Sequence, residues 1–158
     1  MFERFSREAK RAVTAAVEEA EQRGDSHIGT DHLLVGLVAS IAPGVDLVGA
    51  SADDLRNAWL AADRAALEAT GVDIDLPSEP GPSRRRGHIP FTGGAKQVLM
   101  DTLREATALK SRRLEPEHMV ITLTLRPPHD PAIRLLDAAG LSADAIRADL
   151  IETLRRSA

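Results

Sequence analysis

Phe5-Ser6-Arg7-Glu8-Ala9-Lys10 and Phe91-Thr92-Gly93-Gly94-Ala95-Lys96 are one phrase written twice, 86 positions apart. The same offset carries Glu19-Ala20 onto Glu105-Ala106, Asp31-His32 onto Glu117-His118 and Leu37 onto Leu123. Further along, Gly49-x-Ser51-Ala52-Asp53 recurs as Gly140-x-Ser142-Ala143-Asp144, now 91 positions apart. A register held from Phe5 to Leu37 and then shifted once describes a duplicated unit, longer by five residues in its second copy. The copies span residues 1–70 and 88–158, joined by 71–87, and together they are expected to form one compact domain.

Each copy reads as four helices. In the first, Ser6 is placed to cap a helix carrying Ala9, Val13, Ala16, Val17 and Ala20 on one face. Gly24 ends it. A second helix starts near Thr30, and its broad apolar surface (Leu33, Leu34, Leu37, Val38, Ile41) marks it as the most buried. A short third segment, Val45 to Val48, carries the weakest helical signal. Ser51-x-x-Asp54 resembles a capping box opening a fourth helix through Leu55, Trp59 and Leu67. The second copy repeats the scheme. Thr92 caps its first helix, Pro116 fits a first helical position, Pro127-Pro128 ends the second helix, Gly140 closes the third and Ser142 opens the fourth. No stretch alternates with the period of two that a half-buried strand needs, so the fold class is all-α, a pseudo-twofold tandem repeat of two four-helix units.

Composition narrows the chemistry. With 158 residues, 43% of them hydrophobic, the chain can bury a real core. It has no cysteine, which removes disulfides, thiolate metal sites and a thiol nucleophile, and fits a reducing compartment. The net charge of −4 and an aromatic content of 3% argue against nucleic acid as a partner. There is no apolar run long enough to span a membrane and no secretory pattern at Met1-Phe2-Glu3-Arg4-Phe5, so the expected location is the cytoplasm. The charge is uneven: residues 1–76 hold seven Lys/Arg against fourteen Asp/Glu, and residues 77–158 hold thirteen against ten. The connector contains Pro77, Pro80 and Pro82 around Arg84-Arg85-Arg86, read as a solvated charge cluster on extended chain.

No phosphate-binding loop, nucleophile elbow or His-Glu-x-x-His motif is present, and Gly93-Gly94-Ala95-Lys96 reads as a helix start. No cofactor is expected. His32 and His118 occupy equivalent positions, each after a carboxylate. The plain reading is a first-turn histidine bonded locally in each copy. The alternative is a metal-dependent hydrolase built from His32, His118, Asp31 and Glu117.

Three stretches carry a family resemblance: Met1-Phe2-Glu3-Arg4-Phe5-Ser6, Ile28-Gly29-Thr30-Asp31-His32-Leu33-Leu34-Val35-Gly36-Leu37 and Gly87-His88-Ile89-Pro90-Phe91-Thr92. In both copies and over nearly the whole chain, the sequence resembles the N-terminal repeat domain of Clp-type AAA+ unfoldases, the ClpC branch above all. The resemblance implies a non-enzymatic domain of eight helices that binds substrates, adaptors and small peptidic ligands for the unfoldase. The ATPase modules lie outside these 158 residues, and the proline-rich connector and short third segment differ from the ClpC pattern. The expectation is a stand-alone paralogue, acting as a decoy for ClpC-directed cyclic peptides or as an adaptor towards a ClpC-type unfoldase or its substrates.

Two surfaces follow from the resemblance. Asp31 and Glu117 match the acids that hold the guanidinium of phosphoarginine in some members. Here Asp31 is one methylene short, and Pro116 lacks an N–H. A second surface, around Phe2, Lys10, Val13, Phe91, Lys96 and Leu99, matches the region that accepts hydrophobic or cyclic peptides and protein partners.

Overall fold

The computed structural model describes residues 2–71 and 88–157, Phe2 through its backbone alone. The connector, with its arginine triplet, lies outside the described residues. A single 3-10 turn, Phe2–Arg4, leads into α1 (Arg7–Arg23), α2 (Thr30–Ser40), α3 (Ala52–Ala69), α4 (Gly93–Ala108), α5 (Pro116–Thr124), α6 (Pro131–Ala138) and α7 (Ala143–Ser157). Seven α-helices and no strand are present among the described residues.

Most helix ends fall where the sequence places them. The Ser6 and Thr92 hydroxyls each accept the backbone N–H three residues on, at 3.1 Å. Ser51 and Asp54 close the capping box reciprocally, at 3.1 and 2.9 Å. Gly24 and Gly140 both sit at φ +73°, the left-handed turn that ends α1 and α6. The exception is the third segment of the first copy, where no helix forms. Ala42-Pro43-Gly44 breaks the chain, Gly44 and Gly49 take positive φ, and Asp46 Oδ1 accepts the N–H groups of Val48 and Gly49. Leu47 and Val48 still reach the core from this turn. The first repeat therefore has three helices where the second has four.

The core is built on α2 and α5, whose residues are buried on nearly every side, as the run Leu33 to Leu37 and the run His118 to Thr124 show. On the first-repeat side α1 lies against α2 with almost no spacing. A Cβ added to Gly36 would stand 2.5 Å from the backbone N of Ala16 and 2.8 Å from the carbonyl of Ala12. The equivalent second-repeat positions are Thr122, Thr102 and Val98, so that pair of helices is held apart by larger side chains.

The two repeats interlock through main chain. Ser6 N–H donates to the Leu114 carbonyl at 3.0 Å, and Leu114 N–H donates to the Arg4 carbonyl at 2.9 Å. The symmetry mates of these bonds join Thr92 N–H to the Ile28 carbonyl and Ile28 N–H to the Pro90 carbonyl, both at 2.9 Å. Every position in the first pair maps onto the second by the sequence offset. Phe5, Ile28 and Leu114 are buried at these crossings, and Phe91 is half-buried. The repeat is thus a structural twofold in which each copy threads its entry segment beside the other copy's second helix start.

Candidate functional site

His32 and His118 sit in the first turns of α2 and α5. The Gly29 N–H donates to His32 Nδ1 at 2.9 Å, and the Glu115 N–H donates to His118 Nδ1 at 3.0 Å. Each imidazole therefore completes a helix cap from the third helical position, a role usually filled by Glu or Gln. These are the local bonds expected of first-turn histidines.

Beyond the cap the two histidines part company. His32 Nε2–H donates to Asp25 Oδ2 at 2.8 Å, and Asp31 Oδ1 lies 3.3 Å from Nδ1. Asp31 also accepts its neighbour His32 N–H at 3.0 Å and the Trp59 indole N–H at 3.1 Å. The Trp59 ring is covered by the Arg23 guanidinium, 4.4 Å from its centroid, and Arg23 in turn binds Asp25 and Asp63 at 3.0 Å. Three carboxylates thus surround one guanidinium and one imidazole. Burial opposes charge on His32, but the bonds to Asp25 and Asp31 outweigh it and hold its pKa at about 9. The Gly29 N–H bonds Nδ1 in the neutral imidazole; in the cation Nδ1–H instead faces Asp31 Oδ1, 3.3 Å away. Asp25 is lowered by its bond from His32. Burial raises Asp31, but the His32 and Trp59 bonds bring it below the usual carboxylate range. His118 lacks this setting, and burial pushes its pKa down.

These contacts bear directly on the acids at the helix starts. Both Asp31 oxygens are engaged within the first repeat. Glu117 is half-buried and has no hydrogen-bond or ion-pair partner among the described residues. Among the described residues no three His, Asp or Glu side chains converge as metal ligands. The two caps and the Trp59 bond account for His32, His118 and Asp31 without a metal.

The candidate peptide surface divides into two symmetry-related sets, Phe2, Lys10 and Val13 in the first repeat and Phe91, Lys96 and Leu99 in the second. Lys10 and Lys96 are exposed; Val13 and Phe91 are half-buried. Leu99, at 5% exposure, packs against the core, because α4 turns the face bearing Ala95, Val98 and Leu99 inward. Arg4, in the turn before α1, bonds Thr107 and the Ser111 carbonyl near the end of α4. The side chain of Phe2 lies outside the described residues.

Sequence reasoning missed the Trp59 network and a buried link between repeats. Thr30 Oγ1–H donates to Asp130 Oδ1 at 2.5 Å, while Asp130 caps α6 through Ala132 N–H and pairs with Arg126. No repeat signal announces either, since Trp59, Asp25 and Asp130 lack like residues in the other copy. Among the described residues no helix is long and apolar enough to cross a membrane.

The described helices form an all-α pseudo-twofold repeat scaffold, with His32 and His118 in its helix caps. Residues 3–45 match the family model of the Clp repeat (R) N-terminal domain. Over all 158 residues the chain is 30% identical to the ATP-dependent Clp protease ATP-binding subunit ClpA homolog of Porphyra purpurea, of which it spans 18%. It is 30% identical over 157 residues to the chloroplastic chaperone protein ClpC1 of Oryza sativa subsp. japonica, spanning 16% of that relative. Among solved structures, the N-terminal domain of the Caseinolytic protease associated chaperone ClpD from Arabidopsis thaliana superposes with a TM-score of 0.73 at 25% identity, covering 98% of this chain and 99% of that one. The Hsp104 N-terminal domain from Candida albicans shares the fold, with a TM-score of 0.60 at 22% identity over 96% of this chain and 91% of that one. Over its whole length the chain is similar to the N-terminal domains of Clp-type chaperones. It spans less than a fifth of the length of the curated relatives it matches.

Proposed function

We propose that this domain is a non-catalytic binding module of the Clp protease system, taking up substrates, adaptors or hydrophobic and cyclic peptides. The observation that supports it most is the end-to-end superposition on a Clp chaperone N-terminal domain. The composition agrees: with no cysteine and no catalytic motif, the chain offers surface and little reactive chemistry. The proposed peptide surface is formed around Phe2, Lys10, Val13, Phe91, Lys96 and Leu99; the working unit is repeats 1–70 and 88–158 together. A reducing compartment such as the cytoplasm suits a cysteine-free chain.

Within this reading the domain acts as a decoy that sequesters peptides or as an adaptor that presents substrates. Co-precipitation with a ClpC-type unfoldase, with and without a hydrophobic cyclic peptide, separates the two. A decoy holds the peptide without retaining the unfoldase, whereas an adaptor retains the unfoldase. Retention of neither overturns the proposal.

A further inference from the structure

The outer side of α1, facing away from the core, forms with α2 and α3 a groove of about 600 Å³. Four of the seven basic residues in the acidic first half line it: Arg7, Lys10, Arg11 and Arg56. Arg56 is consumed by Glu19 and Asp53. Arg7, Lys10 and Arg11 are exposed, and their side chains have no hydrogen-bond or ion-pair partner among the described residues.

This cluster costs the fold stability. Arg7 stands three residues from Lys10 and four from Arg11, the two spacings at which like charges on a helix repel. All three lie in the first turns of α1, where the unpaired N–H groups already make the helix end positive. The second repeat builds the same helix with Gly93, Lys96 and Gln97 at the matching positions, so the fold needs one base there at most. Three unpaired cations held together against both effects are what an anionic partner would neutralise.

The charge pattern selects the partner. From Arg7 to Glu18 the helix advances roughly 16 Å, about the span of five extended residues. The groove is cationic at the Arg7 end and carries Glu18 at the other. A uniformly charged phosphodiester strand would meet repulsion there, and no aromatic side chain lines the groove to stack a base. We infer that this groove docks a short acidic protein segment, its carboxylates at the start of α1 and its neutral or basic residues towards Glu18. The inference rests on the domain being a binding module, and the groove shares only Lys10 with the peptide surface.

The test is fluorescence anisotropy of the labelled peptide acetyl-Asp-Asp-Glu-Ala-Leu-Ala-amide with the whole chain. Saturable binding that weakens sharply when salt is raised from about 50 to about 300 mM is expected. Arg7→Glu with Arg11→Glu should weaken it at least about tenfold. The same variant should melt at an equal or higher temperature, because it removes like-charge repulsion and suits the helix end. Arg104→Glu, on the second repeat, should change nothing. Absence of binding, equal binding by the double variant, or equally tight binding of a thymidine hexanucleotide would overturn the inference. Retained binding of a hydrophobic cyclic peptide in those same cases would leave the general binding role standing.

Discussion

Thr30 and Asp130, a hundred positions apart, share a hydrogen bond buried between the two repeats. Thr30 opens α2 of the first repeat and Asp130 caps α6 of the second. The bond has no symmetry mate, because the position equivalent to Thr30 is Pro116. Thr30→Val keeps the shape and leaves a buried carboxylate short of a donor. It should lower unfolding free energy by about 1–3 kcal/mol. Urea denaturation of the wild type, Thr30→Val and Thr30→Ser checks this, with serine retaining most of the lost stability.

The contact of Gly36 with α1 gives a second test. A methyl group there would meet backbone atoms at under 3 Å, and backbone cannot move aside as a flexible side chain can. Gly36→Ala should therefore cost about 3 kcal/mol, although alanine is the better helix former. A thermal melt at or above the wild-type temperature would show that α1 and α2 are not packed as described.

The helices, their caps and the duplication were legible in the sequence because they rest on local chemistry and a fixed offset. Ser6, Ser51, Thr92, Gly24 and Gly140 announce their roles within four residues of where they act. The missing third helix was only half legible: Pro43-Gly44 signalled a break, but the Asp46 turn that replaces the helix depends on side-chain geometry. Val13 is half-buried while Leu99, at the partner position, is core; exact symmetry of sequence position does not carry exact symmetry of packing. The Trp59 network was invisible because it joins residues from three helices with no periodic signal.

Equivalent histidines should titrate in opposite directions. His32 has a folded pKa of about 9 against a usual 6.5, so the folded state holds the extra proton between those values. Its contribution is complete below about pH 6.5 and is lost as pH rises towards 9, on the order of 2 kcal/mol. His118 is lowered, so its contribution is present above the usual histidine range and is lost as pH falls below it. The lowered Asp25 and Asp31 contribute above about pH 4 and lose their effect as pH falls further. Imidazole NMR titration reads each histidine. His32→Gln should flatten the fall in stability between pH 6.5 and 9, and a His32 pKa below 6.5 would mean that the Gly29 bond prevails.

Phe2→Ala should weaken binding of a hydrophobic cyclic peptide while shifting the melting temperature by less than about 2 °C. A drop of several degrees would make Phe2 a packing residue and remove it from the surface.

The central claim, a duplicated helical unit that works by offering surface, is tested most directly by amide NMR during titration with a hydrophobic cyclic peptide. The account predicts saturable shifts confined to the first turns of α1 and α4, around Lys10, Val13, Phe91 and Lys96, with the His32 and His118 caps undisturbed. No shifts at saturating peptide, or shifts centred on the two capping histidines, would contradict it.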